Sequence, residues 1–121
     1  MRLKYLGAAA AALLFSTPAE AATWVKIVTS KDGLNTIWVD SSRIIRGDES
    51  TMMWSRLSLG KGNYAITLSA VRCESHTYMD LKRLVFSASG VSTEMDVNQS
   101  WQVAVPETLI DSAISYVCPA E

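Results

Sequence analysis

The chain has one histidine, two cysteines and three prolines, and its formal net charge is only −1. Each scarcity removes a class of function. The one histidine, His76, sits in the polar stretch Glu74-Ser75-His76-Thr77, where it reads as a solvated loop side chain and leaves nothing for a histidine-rich metal site. There is no Cys-x-x-Cys redox pair and no nucleophile-elbow sequence. Gly60-x-Gly62 lacks the rest of either nucleotide-binding fingerprint. The carboxylates Asp40, Asp48, Glu74, Asp80, Glu94, Asp96 and Asp111 are scattered, and nothing in their spacing sets up a pair for acid–base work. The expectation is a protein that is not an enzyme and takes no cofactor or metal.

Long apolar runs are missing as well. The stretch from Leu6 to Phe15 is shorter than the roughly twenty residues a spanning helix requires, and nothing after it comes closer. It follows the basic start Met1-Arg2-Leu3-Lys4 and precedes the small-residue site Ala19-Glu20-Ala21, so residues 1–21 read as a secretory signal. No cysteine adjoins that site to accept a lipid. The mature chain, 22–121, is expected to be one domain, exported to the periplasm or secreted, with neither membrane span nor lipid anchor. Losing Arg2, Lys4 and Glu20 leaves nine basic residues against eleven acidic ones. That balance argues against nucleic acid as a partner, because such binding needs a clustered positive footprint.

The two cysteines that are present, Cys73 and Cys118, lie in an exported chain and are expected to pair. The bond would enclose about 46 residues, for which chain entropy gives roughly 4 kcal/mol as an upper-end value. It would join a strand to a helix. Tyr64 to Cys73 alternates, with Tyr64, Ile66, Leu68, Ala70 and Arg72 on one face. Ala65, Thr67, Ser69, Val71 and Cys73 form the other, small-residue face, which suits a helix packed over it. Val105 to Cys118 reads as that helix. Pro106 falls in its first turn, Leu109, Ile110, Ala113, Ile114 and Val117 form its apolar stripe, and Pro119 stops it.

Further strands are expected at Thr23–Thr29, Thr36–Asp40, Thr51–Leu59 and Tyr78–Ser89, with a tight turn at Gly60-Lys61-Gly62-Asn63. Ser41 to Asp48 is expected to leave the sheet, and Thr93 to Gln99 to be loop or an irregular edge. The fold class is α+β, an antiparallel sheet with a C-terminal helix tied to it.

Four tryptophans are generous for this length. Trp24 and Trp101 are expected to fill the core, where large rings bury the most area. Trp38 alternates with Thr36 and Asp40, and Trp54 with Met52 and Arg56. Trp38, Trp54 and Arg56 are therefore the candidate ligand-binding residues, an aromatic and arginine surface of the kind that recognises proteins.

In order along the chain come Trp24, Trp38-Val39-Asp40 with Arg43-Ile44 and Gly47, Met53-Trp54 with Arg56, and Arg72-Cys73-Glu74. Gly90, Trp101, Val105-Pro106-Glu107-Thr108 and Val117-Cys118 follow. Their order and spacing resembles the surface-adhesin protein E family over essentially the whole mature chain. The resemblance implies a sheet of about six strands, the Cys73–Cys118 tether, and binding to host extracellular-matrix proteins, with a homodimer as the oligomeric form. The alternative is a soluble periplasmic structural or accessory protein that holds a small ligand or an envelope partner.

Overall fold

Alternation of β-branched and aromatic residues builds the first half of the molecule, and the computed structural model describes residues 21–119 of it. The signal expected over residues 1–21 lies, apart from Ala21, outside the described residues. The strands are β1 (Trp24–Thr29), β2 (Thr36–Asp40), β3 (Ile45–Arg46), β4 (Thr51–Gly60), β5 (Asn63–Arg72), β6 (Thr77–Phe86), β7 (Ser92–Met95) and β8 (Gln102–Val103). One helix, α1 (Leu109–Val117), closes the described chain. The sheet runs in the order β1-β2-β4-β5-β6-β7, with β3 paired to β4 and β8 to β6, and every pairing is antiparallel. This is the expected α+β architecture, with six strands on the main path.

The β4–β5 and β5–β6 pairs are joined by short turns, which make them neighbours. At the β4–β5 hairpin Gly60 and Gly62 have φ of +91° and +81°, where a side chain would be strained. A Cβ on Gly62 would also meet Ala88 Cβ at 2.9 Å. Two of the expected boundaries move. Ser41 to Asp48 does not simply leave the sheet. Ser41–Arg43 makes a 3-10 turn capped by the Asp40 carboxylate, and Ile45–Arg46 rejoins β4 opposite Met52 and Thr51. Overlapping the start of the stretch Thr93 to Gln99 expected as loop or an irregular edge, Ser92–Met95 pairs regularly with β6.

The helix begins later than proline placement suggested. Pro106 sits in a β-turn closed by Thr108 N–H on the Val105 carbonyl, with Glu107 at φ +70°. Proline at the second position of a turn, followed by a positive φ, is the chemistry of a type II turn. Thr108 is the N-cap, its Oγ1 accepting from Asp111 N–H at 3.2 Å. At the other end the Arg46 guanidinium donates to the Val117 carbonyl, putting a cation on the negative end of the helix.

The apolar stripe of α1 packs as its spacing predicts. Ala113, Ile114 and Val117 are fully buried with Ile37, Val39, Met53, Val71 and Ala104. This core lies under β1, β2 and β4, because that is where the helix makes its contacts. The Cys73–Cys118 disulfide, with Cα atoms 5.5 Å apart, pins the C-terminal end of the helix beside it. No tryptophan is in the core. Trp24 and Trp101, expected there, are only half-buried. The space between helix and sheet is narrow and is filled by aliphatic side chains and Met53.

Candidate functional site

Register determines what the far face of the sheet presents. Directly paired residues point to the same side, so one row crosses the whole sheet: Lys26, Trp38, Arg56, Ile66, Leu84 and Glu94. Beside it run Trp54 with Leu68 and Lys82, and Tyr64 with Phe86. The helix covers the other face, and on this one the segment leading into β8 brings the Trp101 ring against Arg72 at the sheet's end. The side chains of this face shield one another, and the large ones are half-buried by their neighbours.

The three residues singled out from alternation, Trp38, Trp54 and Arg56, therefore stand together. Trp38 and Arg56 are cross-strand partners, and Trp54 is two residues along the same strand on the same face. The Arg56 guanidinium lies 5.5 Å from the Trp38 ring centroid and 4.1 Å from that of Tyr64. Tyr64 in turn stacks on Phe86 at 4.9 Å. Sequence reasoning missed Tyr64 and Phe86, although both alternate onto this face. Arg56 Nε is buried with no hydrogen-bond partner, and Arg56 pairs with no carboxylate among the described residues. A cation sandwiched between rings and lacking an acceptor is suited to an incoming one. At the sheet's end Arg72 lies 3.7 Å over the Trp101 ring, so the fourth tryptophan also serves as a platform for a cation.

His76 is not the free loop side chain expected. It takes φ +57°, and its Nε2 meets Asp111 Oδ1 at 2.6 Å, while the other Asp111 oxygen accepts from Glu107 N–H. The His76 hydrogen bond, with that from Glu107, holds the Asp111 carboxyl below its ordinary pKa. The pair ties the β5–β6 turn to the start of α1. Among the described residues no group of His, Cys, Asp and Glu could hold a metal.

On the helix side, β5, β6 and β7 extend past the region α1 covers. An open cleft of about 370 Å³ lies there, with Ser55, Thr67, Ser69, Asp80 and Arg83 as its floor. Its walls are Leu57, Ala65, Val85, Met95 and Ile110.

A single antiparallel sheet with one disulfide-tethered helix on one face and an aromatic, cationic opposite face defines an α+β domain. The family model described as surface-adhesin protein E matches residues 24–119, and the chain belongs to that family. Neither the curated proteins nor the solved structures include a significant match. Membership makes the role adhesin-like. No helix among the described residues is long and apolar enough to cross a membrane.

Proposed function

We propose that the chain is an exported, non-enzymatic adhesin that recognises a host extracellular-matrix protein through the open face of its sheet, with Trp38, Trp54 and Arg56 as the binding residues. The observation that carries this reading is Arg56, held between Trp38 and Tyr64 without an acceptor. Tryptophan, tyrosine and arginine are the residue types that dominate binding energy at protein interfaces. Lys26 and Lys82 add positive charge to this face against Glu94 at its edge, so an acidic partner surface is favoured.

The test has two parts. Protease applied to intact cells must degrade the protein, since an adhesin is displayed outside. Purified protein must then bind an immobilised matrix protein, and both Trp54→Ala and Arg56→Gln must weaken that binding about tenfold or more. Survival on intact cells with release from the periplasm sinks the adhesin reading. Light scattering on the same sample reports whether it is a homodimer.

A second reading has its own observation. An accessory role in the periplasm, with a small ligand bound, is favoured by the cleft between α1 and β5–β7.

A further inference from the structure

A sheet face beneath a helix is ordinarily apolar, yet here its middle is not. Ser55, Thr67 and Ser69 are 6%, 8% and 1% exposed, and they stand where β4 and β5 run directly opposite each other or one step apart. Asp80 and Arg83 join them from β6. Three residues apart in a regular strand, these two would point to opposite faces. The bulge at Leu81 brings both onto this one, opposite Ser69 and Thr67.

The hydrogen bonds on this floor are unevenly used. Asp80 is engaged at both oxygens, accepting from Ser69 Oγ at 2.8 Å and from Arg83 Nη2 at 2.7 Å. Thr67 Oγ1 accepts from Arg83 Nε at 3.1 Å, which leaves its own hydrogen free to donate. The Ser55 and Tyr78 hydroxyls line the cleft and have no partner among the described residues, and Arg83 Nη1 is unused. Burial and the neighbouring Asp80 charge raise the Tyr78 pKa against the opposing effect of Arg83, so the phenol keeps its proton and can donate. The floor therefore offers four free donors around a carboxylate that is already occupied. Above it stand apolar walls, and a volume of about 370 Å³ lies at the small end of the range for small-molecule sites, roughly 300–1,000 Å³.

We propose that this cleft binds a small amphiphile with a monocarboxylate head and an apolar tail, the head on Arg83, Thr67 and Ser55 and the tail against Leu57, Val85 and Ile110. The inference rests on the second reading above and gives that ligand its chemical class. Guanidinium and hydroxyl donors match the two oxygens of a carboxylate. Asp80 makes the pair with Arg83 neutral overall, which disfavours a dianion such as a phosphate monoester. The site is on the opposite side of the sheet from the tryptophans, so the two surfaces are separable.

The experiment is a titration of the disulfide-bonded protein, followed by amide chemical shifts, with decanoate, decanol and decyltrimethylammonium below their micelle concentrations. Expected are saturable shifts for decanoate centred on Ser55, Thr67, Ser69 and Val85, with decanol and the cationic amphiphile weaker by about tenfold or more, the worth of a charge-assisted hydrogen bond. Arg83→Gln should weaken decanoate to the level of decanol. Ser55→Ala, which leaves the Asp80–Arg83 pair intact, should weaken it by a smaller factor and keeps the test valid if Arg83→Gln fails to fold. Equal binding of decanoate and decanol in the cleft overturns the carboxylate head and leaves the small-ligand reading standing. Shifts confined to the Trp38 and Trp54 face, or none with any of the three, overturn both.

Discussion

The guanidinium of Arg56 lies over the ring of Tyr64, 4.1 Å from its centroid, although the two residues are not direct partners across β4 and β5. Arg56 is opposite Ile66 and reaches diagonally, which puts it between Tyr64 and Trp38. Cation–π contacts at a half-exposed site contribute about 0.5–1 kcal/mol each. Arg56→Gln should therefore cost about 1–2 kcal/mol in urea denaturation while leaving the fold intact. A loss above about 4 kcal/mol, in the range of a core truncation, would make Arg56 a structural residue and weaken its case as a binding one.

Cys73 and Cys118 join β5 to the end of α1 across 45 residues of sequence. The double variant Cys73→Ser with Cys118→Ser avoids a free thiol. It should lose about 2–4 kcal/mol, because the bond restricts the unfolded chain and also the partly open state in which α1 detaches from the sheet. Hydrogen exchange locates the effect: amides of α1 should lose protection before those of β4 and β5. Uniform loss across the sheet would mean that the helix does not depend on its tether.

Much of this was legible because period and chemistry agree. The Ala65, Thr67, Ser69, Val71, Cys73 face of β5 points to the helix, as alternation requires, and the α1 stripe from Leu109 to Val117 packs as its spacing demands. Trp54 and Arg56 share a face by parity alone. That Trp38 joins them depends on the β2–β4 register, which three cross-strand pairs set and no local pattern announces. The cleft floor was legible only in part: alternation puts Thr67 and Ser69 on the helix side, but not Asp80 and Arg83 beside them. Leu81 bulges, so parity counted along β6 assigns Asp80 and Arg83 to opposite faces when they share one. The same happens in β1, where the shift between Lys26 and Val28 lets both Ile27 and Val28 pack on the core. A bulge is a tertiary compromise, and a single sequence carries no strong mark of it.

Ile114 is fully buried in the core cluster with Val39, Met53 and Val117. Ile114→Ala should cost about 2–5 kcal/mol, the transfer loss plus the cavity left behind. Tyr116, 42% exposed on the same helix, should tolerate alanine within about 0.5 kcal/mol. Thermal melts of the two variants side by side check the packing direction of α1. Similar losses for both would mean that the helix is rotated.

Asp40 is 1% exposed, yet it stays ionised. Burial pushes its pKa up, but the Ser42 hydroxyl at 2.6 Å, the Thr23 N–H at 3.0 Å, the Ser42 N–H and the Arg43 charge together outweigh that and hold it below the ordinary carboxylate value. The carboxylate thereby closes the start of β1 onto the end of β2 and caps the 3-10 turn. A pKa lowered by folding means that the unfolded chain binds more protons through this range, so stability rises with pH there. The contribution is complete above the unfolded value near pH 4 and is lost as pH falls through the folded one. Asp111, held low by His76 and Glu107, and Asp32, held low by the Ser30 hydroxyl and Leu34 N–H, act with the same sign. Urea denaturation should show stability flat from pH 7 to 5 as far as these groups are concerned, then falling toward pH 3. Asp40→Asn should cost about 1–3 kcal/mol at pH 7, since the three donors on Oδ1 lose a charged acceptor and the Arg43 guanidinium, 3.7 Å from Oδ2, would face an amide N–H in its place. Its stability should also fall less steeply below pH 5 than that of the parent. An unchanged slope in Asp40→Asn would mean that Asp40 titrates alike in both states and that its hydrogen bonds do not favour the charged form.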